Sequence, residues 1–343
     1  MDTGQFDAAA KDGDRYFVDG LWAHLDASFN SEAERRLARF AQRQATTKWI
    51  VVADFCIRDQ SRPNDSFAFV ILPGGDKLRQ TNALLSELPR KDLKETKLID
   101  PAIKRALRGG RAFTICVVAD RERRLYADAA SARRGLDQTI EMMERWKNAD
   151  ECAELIGKVR AVREQANKAS LNLRLLEDLI VTSAIAAYLV AVLCKLGPVE
   201  LVGWAPDRDK IVECYSGIAQ TLFAINVGAL CEKRNLKEPK LGFFTQTSEN
   251  PWCDTMIRLA DYVAGVAAWD PPANERVSPK IAELVAGIFA DNRHLFLFRM
   301  AFRSFDGQAR IKIAQVRITK SPPPGRDRER PKVFPLRGMS RSL

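Results

Sequence analysis

Short apolar runs of strand length alternate along this chain with longer segments of helical period. KWIVVADFCI (48–57) is apolar on both alternating faces, as an interior strand of a covered sheet is. SRPND reads as a turn, and SFAFVILP (66–73) as a second strand closed by Pro-Gly-Gly-Asp. Helical LRQTNALLSELP, the charged stretch RKDLKETKLID and a segment around PAIKRAL lead to Gly109-Gly110, which opens a third strand at 111–120. Residues 121–168 are charged and helix-friendly, with Glu141/Arg145 and Glu154/Lys158 at i,i+4 spacing. A long helix is predicted from about Ser170 to Leu196, stopped by Gly197-Pro198. A fourth strand (199–204), a helix (210–233) with Asp209 at its N-cap, and a fifth strand (240–247) follow. A helix opened by Asp254 as N-cap then runs through Trp269 to Pro271-Pro272.

The flanks are simpler. Residues 1–46 read as a helical extension, clearest in SEAERRLARFAQRQ, where Ser31 caps and Glu32 and Glu34 complement the helix N-terminus. Ser278-Pro279 is a helix start. Beyond it, HLFLFRMAF and ARIKIAQVRI flank an Asp306-Gly307 turn as a basic hairpin, although the first half also fits a continued helix. The last 24 residues have no core-forming period and are expected to be disordered.

The resulting order, βββ–α–β–α–β–α, describes an α/β protein with one mixed sheet covered by helices. It is the order of ribonuclease H-like domains. The expected division is an extension at 1–46, a ribonuclease H-like domain at 47–270 with a helical insertion at 121–168, a C-terminal helix and hairpin at 271–319, and a basic tail at 320–343.

Composition sharpens this picture in three places. The 343 residues are 46% hydrophobic and 29% charged, enough to bury a sizeable core. Seven cysteines without CxxC spacing, several inside apolar runs, point to a reducing, cytoplasmic setting rather than a disulfide framework or zinc ribbon. The N-terminus has no apolar h-region. The apolar stretch 179–194 would reach about 24 Å as a helix, short of the ~30 Å hydrocarbon core; a buried helix is expected there, and no membrane partner. Third, the net charge of +10 is uneven: residues 293–343 hold 13 Lys/Arg against three acids, while the rest is balanced at 41 of each sign. A basic arm favours a polyanion, above all nucleic acid.

Two carboxylates stand out chemically. Asp54 sits inside the apolar strand IVVADFCI, where an ionised carboxylate must be paired, protonated or metal-bound. The alternative is a strand-end acid bonded to a turn. Asp261 interrupts the apolar helix PWCDTMIRLADYVAGVAAW. It shares a face with Asp254 and Gly265, opposite the stripe Leu259, Val263 and Val266, so it either faces a groove or lies on the helix surface. The chain has only His24 and His294, far apart, which disfavours a His-based triad.

These two segments resemble the domain-of-unknown-function 3800 group, whose members carry an Asp in a DESG-type first strand and an LQxAD-type helix near the end. The matching residues are Asp54 in VVADFCIRD and RLAD ending at Asp261, with Glu95 and Lys97 in KETKLID matching a Glu–x–Lys pattern. After Asp54 the chain has Phe-Cys-Ile where the group has Glu-Ser-Gly. The resemblance implies a ribonuclease H-like fold and phosphodiester chemistry on nucleic acid with Mg²⁺ or Mn²⁺. Such chemistry needs a cluster of hard oxygen ligands. Asp54 would be the central ligand and Asp261 a second, with Asp207 from the end of strand four as a third; for Asp207 a loop acid before the Asp209 cap is the alternative. Glu177 would be a fourth and Lys97 a phosphate partner; a solvated helix acid and a loop lysine are their alternatives. Two further readings stay open: a catalytically degenerate scaffold that holds nucleic acid, and a component of a larger assembly that binds a partner protein through 121–168.

Overall fold

The computed structural model describes residues 17–29, 31–86, 93, 100–146, 149–150, 152–168, 171–208, 210–244, 253–269, 278–305 and 308–319. Glu95, Lys97, Asp209, Pro271-Pro272, Asp306-Gly307 and the 320–343 tail lie outside the described residues. The described strands are β1 (Lys48–Cys56), β2 (Asp65–Pro73), β3 (Phe113–Ala119), β4 (Leu201–Pro206), β5 (Lys240–Phe243), β6 (Leu295–Phe305) and β7 (Gln308–Val316). The helices are α1 (Phe17–Ser28), α2 (Ser31–Gln44), α3 (Leu78–Leu85), α4 (Pro101–Arg108), α5 (Ala129–Glu144), α6 (Ala153–Gln165), α7 (Leu173–Leu196), α8 (Lys210–Lys233), α9 (Asp254–Ala267) and α10 (Pro279–Leu284).

All seven strands form one mixed sheet in the order β5-β4-β1-β2-β3-β6-β7. β1, β2 and β3 pair antiparallel in sequence order, while β4 lies parallel on the other side of β1 and β5 parallel beyond it. The C-terminal hairpin is part of this sheet: β6 runs parallel to β3 and β7 returns antiparallel to β6.

Strand alternation builds two cores. Trp49, Val51, Ala53 and Phe55 of β1 turn to the layer of α1, α2 and α5–α8. Ile50 and Val52 turn to the layer that holds α4, α9 and α10. With both faces covered, β1, β2 and β3 are buried over nearly their whole length, which is why they read as continuous apolar runs. The apolar stretch 179–194 is the middle of α7, where every residue from Leu176 to Leu193 is buried. α7 and α8 are both long and apolar enough to cross a membrane by length and composition, and 83% and 56% of their most apolar windows are buried inside the protein. Trp22 of α1 donates its indole N–H to the Ala184 carbonyl of α7 (3.1 Å), locking the N-terminal helices to this core.

Three local expectations are corrected. Cys253, not Asp254, is the N-cap of α9; Asp254 stands in the first turn and pairs with Arg258 at 2.7 Å, an i,i+4 contact that competes with capping. The 210–233 helix is broken at 214–217, where Tyr215, Ser216 and Gly217 take left-handed φ values of 50°, 59° and 71°. There the Tyr215 hydroxyl donates to the Asn172 carbonyl (3.0 Å), a tertiary contact that apolar periodicity does not encode. In the segment 278–289, Ser278 caps as expected by accepting from Ile281 N, but α10 stops at Leu284 and gives way to a π-turn over 285–289.

Candidate functional site

The β1–β4 ladder runs in parallel register to Ala53↔Pro206. Asp207 extends it by one residue, donating its N–H to the Ala53 carbonyl at 2.7 Å. Asp54 and Asp207 are therefore neighbours across two parallel strands, whose backbones lie ~4.8 Å apart. By strand alternation Asp54 continues the face of Val52, and Asp207 that of Ala205. Both of those residues belong to the core beneath α9. The structure thus sets these two residues side by side, at the C-terminal ends of their strands. Ligands of open α/β sheets bind outside that end.

Asp54 is only 8% exposed, and its Oδ1 accepts from the Phe55 N–H at 2.7 Å. Its charge reaches Cys56: burial pushes that thiol up to about 11, and Asp59 and Asp54 add to the rise against Arg62. Asp207 acts in the same way on Cys253 at the start of α9, whose thiol is raised first by burial and then by Asp254 and Asp207. The pair therefore lies between the ends of β1 and β4 and the N-terminus of α9.

The other predicted residues are placed elsewhere. Asp261 does share a helix flank with Asp254 and Gly265, while Leu259, Val263 and Val266 are fully buried. The groove beside it is filled: a Cβ at Gly265 would meet the Leu93 side chain, and Asp261 Oδ2 accepts from the Leu93 N–H (3.2 Å). Lys280 of α10 caps the other side of Leu93 by donating to its carbonyl (2.5 Å). Glu177 lies across the sheet, in α7 on the opposite face. It is 2% exposed, which overturns the solvated alternative. It accepts from both Leu125 N and Tyr126 N at 2.9 Å. Burial raises its pKa above the ordinary glutamate value, against the pull of those two N–H groups.

Beside Glu177 is a charged cluster that sequence reasoning missed. Arg123 is buried between Asp65 at the start of β2 (2.5 Å) and Asp178 of α7, and Arg58 pairs with Asp178 at 2.7 Å. Burial works against the Arg123 charge, but Asp178 and Asp65 outweigh it and raise the arginine pKa. The signal available in the sequence was Asp65 at the head of an apolar strand and Asp178 beside Glu177. The Arg123 partner sits in the charged insertion and was not separable from its neighbours there.

A second missed feature is a basic trough between α2 and the β6–β7 edge. Two adjoining hollows of about 860 and 420 Å³ share Arg36 and Arg293, and together present Arg35, Arg39, Arg43 and Arg317 as well.

Asp54 and Asp207 supply hard oxygen donors of the kind that suits one Mg²⁺ or Mn²⁺, an ion that takes one or two protein carboxylates and completes its shell with water and substrate phosphate. They do not by themselves furnish a two-metal centre, and among the described residues no three His, Cys, Asp or Glu side chains gather as a ligand group. No family model, curated protein or solved structure matches the chain.

Proposed function

We propose that this chain is a ribonuclease H-like protein that acts on nucleic-acid phosphodiesters with one divalent cation held by Asp54 and Asp207. The fold part of this reading is supported by the strand order β5-β4-β1-β2-β3 with its three-strand antiparallel meander and two parallel additions, the arrangement of ribonuclease H-like sheets. The observation that carries the chemistry is the pairing of Asp54 with Asp207 at the carboxyl ends of adjacent parallel strands. A bound Mg²⁺ or Mn²⁺ would there neutralise phosphoryl charge and lower the pKa of a coordinated water. The chain's own contribution is rigidity and dryness. The Phe55 N–H fixes one Asp54 oxygen, and the buried neighbours Val52 and Ala205 keep water away from the carboxylate on that side.

The resemblance to the domain-of-unknown-function 3800 group supports the same chemistry through Asp54. One observation favours the degenerate-scaffold reading instead: Asp261, the second acid of that pattern, is engaged by the Leu93 backbone. The two readings separate in one experiment. Titration with Mg²⁺ and Mn²⁺ by calorimetry should show binding that Asp54→Asn and Asp207→Asn each abolish, and wild type should cleave single- or double-stranded RNA or DNA only with the ion present. Ion binding without cleavage of any of these substrates would establish the scaffold reading. Cleavage that Asp54→Asn leaves intact would remove the pair from the mechanism.

A further inference from the structure

The basic trough is remote from the Asp54–Asp207 pair. β6 starts at Leu295 opposite Thr114, while Asp54 is level with Cys116 and Leu297 through the ladders of β2 and β3. Arg293 is thus displaced from Asp54 by three strand spacings and four residues, roughly 20 Å. The α2 wall of the trough is also on the other side of the sheet, since α2 packs Ala33, Leu37 and Phe40 into the core opposite α9, while Phe289, Leu295 and Leu297 of the lining belong to the α9 side.

Why α2 presents arginines outward follows from its period. With those three apolar residues turned inward, Glu32, Arg36, Arg39 and Arg43 line one flank of the helix, and Arg35 lies farther round toward solvent. Arg35, Arg39 and Arg43 are exposed and recur every four residues, so they rise in steps of about 6 Å, a spacing that suits successive phosphates of one strand. Arg36 is pinned over the Phe296 ring at 5.5 Å. Across the trough stand Arg293, just before β6, and Arg317, just after β7. The lining holds six arginines against two carboxylates, Glu32 and Asp291. Glu32 is already engaged by Arg36 and by Arg317 (2.5 Å). Arg39 and Arg293 form no ion pair among the described residues.

We propose that this trough binds the phosphate backbone of a nucleic acid, independently of the Asp54–Asp207 pair. Three features select this ligand. Every cationic side chain in the lining is an arginine, whose planar fork suits phosphate. The site is concave, which a strand of phosphates can enter and a flat lipid surface cannot. Thr319 lines it, so the chain leads directly from the trough into 320–343, with seven further basic residues and two acidic ones.

The test is fluorescence anisotropy of the full chain with short labelled oligonucleotides, single-stranded and duplex, across a salt series. Arg39→Gln/Arg293→Gln should weaken binding about tenfold or more and flatten the salt slope by about one unit for each arginine. Arg39→Lys/Arg293→Lys should recover part of the loss, and the loss should persist in EDTA, where the Asp54–Asp207 pair holds no cation. Melting curves of the glutamine variant should match wild type, because neither arginine forms an ion pair among the described residues. Unchanged affinity and slope in the glutamine variant overturn the proposal, as does absence of oligonucleotide binding by wild type. Binding to phosphatidylserine vesicles that depends on Arg39 and Arg293, with none to oligonucleotides, overturns it in favour of a membrane. If the trough variants behave as wild type while Asp54→Asn loses ion binding, the trough assignment falls and the proposed function survives; the converse result separates them the other way.

Discussion

Arg123 is the residue on which the β2 and β3 ends depend. Its side chain is 4% exposed and bridges Asp65 and Asp178, each 3% exposed, from elements far apart in sequence. A buried charge with two partners is neutral in net worth until one member is removed. Arg123→Met would leave Asp65 without this bond in the core and Asp178 with only the half-exposed Arg58. A loss of about 3–5 kcal/mol is expected, measurable by urea unfolding. Glu177 behaves differently, because its pKa is raised rather than lowered by folding. The folded state then holds the Glu177 proton more tightly than the unfolded chain, so this residue's contribution to stability is present below the ordinary glutamate pKa. It is lost as pH rises through the raised value. Glu177→Gln retains an acceptor for the Leu125 and Tyr126 N–H groups. The variant should therefore show a flatter fall of melting temperature with pH across that window, and an unchanged slope would mean that Glu177 titrates normally in the fold.

At the scale of elements, strain and close approach mark where packing overrode local preference. α8 is interrupted by two successive non-glycine residues in the left-handed region, Tyr215 and Ser216, a conformation that costs roughly 1–2 kcal/mol per residue with a side chain. Ser216→Gly should raise stability by up to about 1 kcal/mol, and a decrease would show that the serine makes a compensating contact. β4 and β5 pair glycine on glycine, Gly203↔Gly242, and the Phe244 ring occupies the space above them. A Cβ at Gly203 would lie 2.2 Å from that ring, so Gly203→Ala must displace an aromatic side chain. It should cost about 1–3 kcal/mol, and it should do so at the strand next to the candidate pair. A thermal shift within error of wild type would mean that the ring moves freely.

For the whole molecule, charge and topology have to be read together. The sequence-level excess of positive charge in 293–343 meets, in three dimensions, the arginine face of a helix more than 250 residues earlier, as the Arg43–His294 contact shows at 2.9 Å. The C-terminal hairpin is therefore both an edge of the sheet, through β3–β6 pairing, and one wall of the trough. Removing residues 320–343 should weaken nucleic-acid binding and flatten its salt dependence, while melting of the rest barely changes. Unaltered affinity and slope would confine phosphate binding to the trough, and a large loss of thermal stability would show that the segment belongs to the fold.

Apolar periodicity was enough to order the strands and helices, length to mark 179–194 as a buried helix and the Ser278-Pro279 signature to locate a helix cap, because each depends on neighbours within a few residues. It also marked Asp54 as an anomaly, since a carboxylate in a doubly covered strand is costly wherever its partner lies. It did not determine which acid stands beside it. Asp207 became the neighbour through the parallel register of β1 and β4, which are far apart along the chain. Asp261 was engaged by Leu93, which Lys280 of α10 holds from its other side, although its helix face was read correctly. The Arg123 cluster and the trough were hidden for the same reason. Their members are separated by as many as 285 residues, as Glu32 and Arg317 are, and charged side chains on amphipathic helices all look alike until the fold decides which of them meet. Local sequence sets the period and the face of each element; strand register and helix docking alone determine which faces share a site.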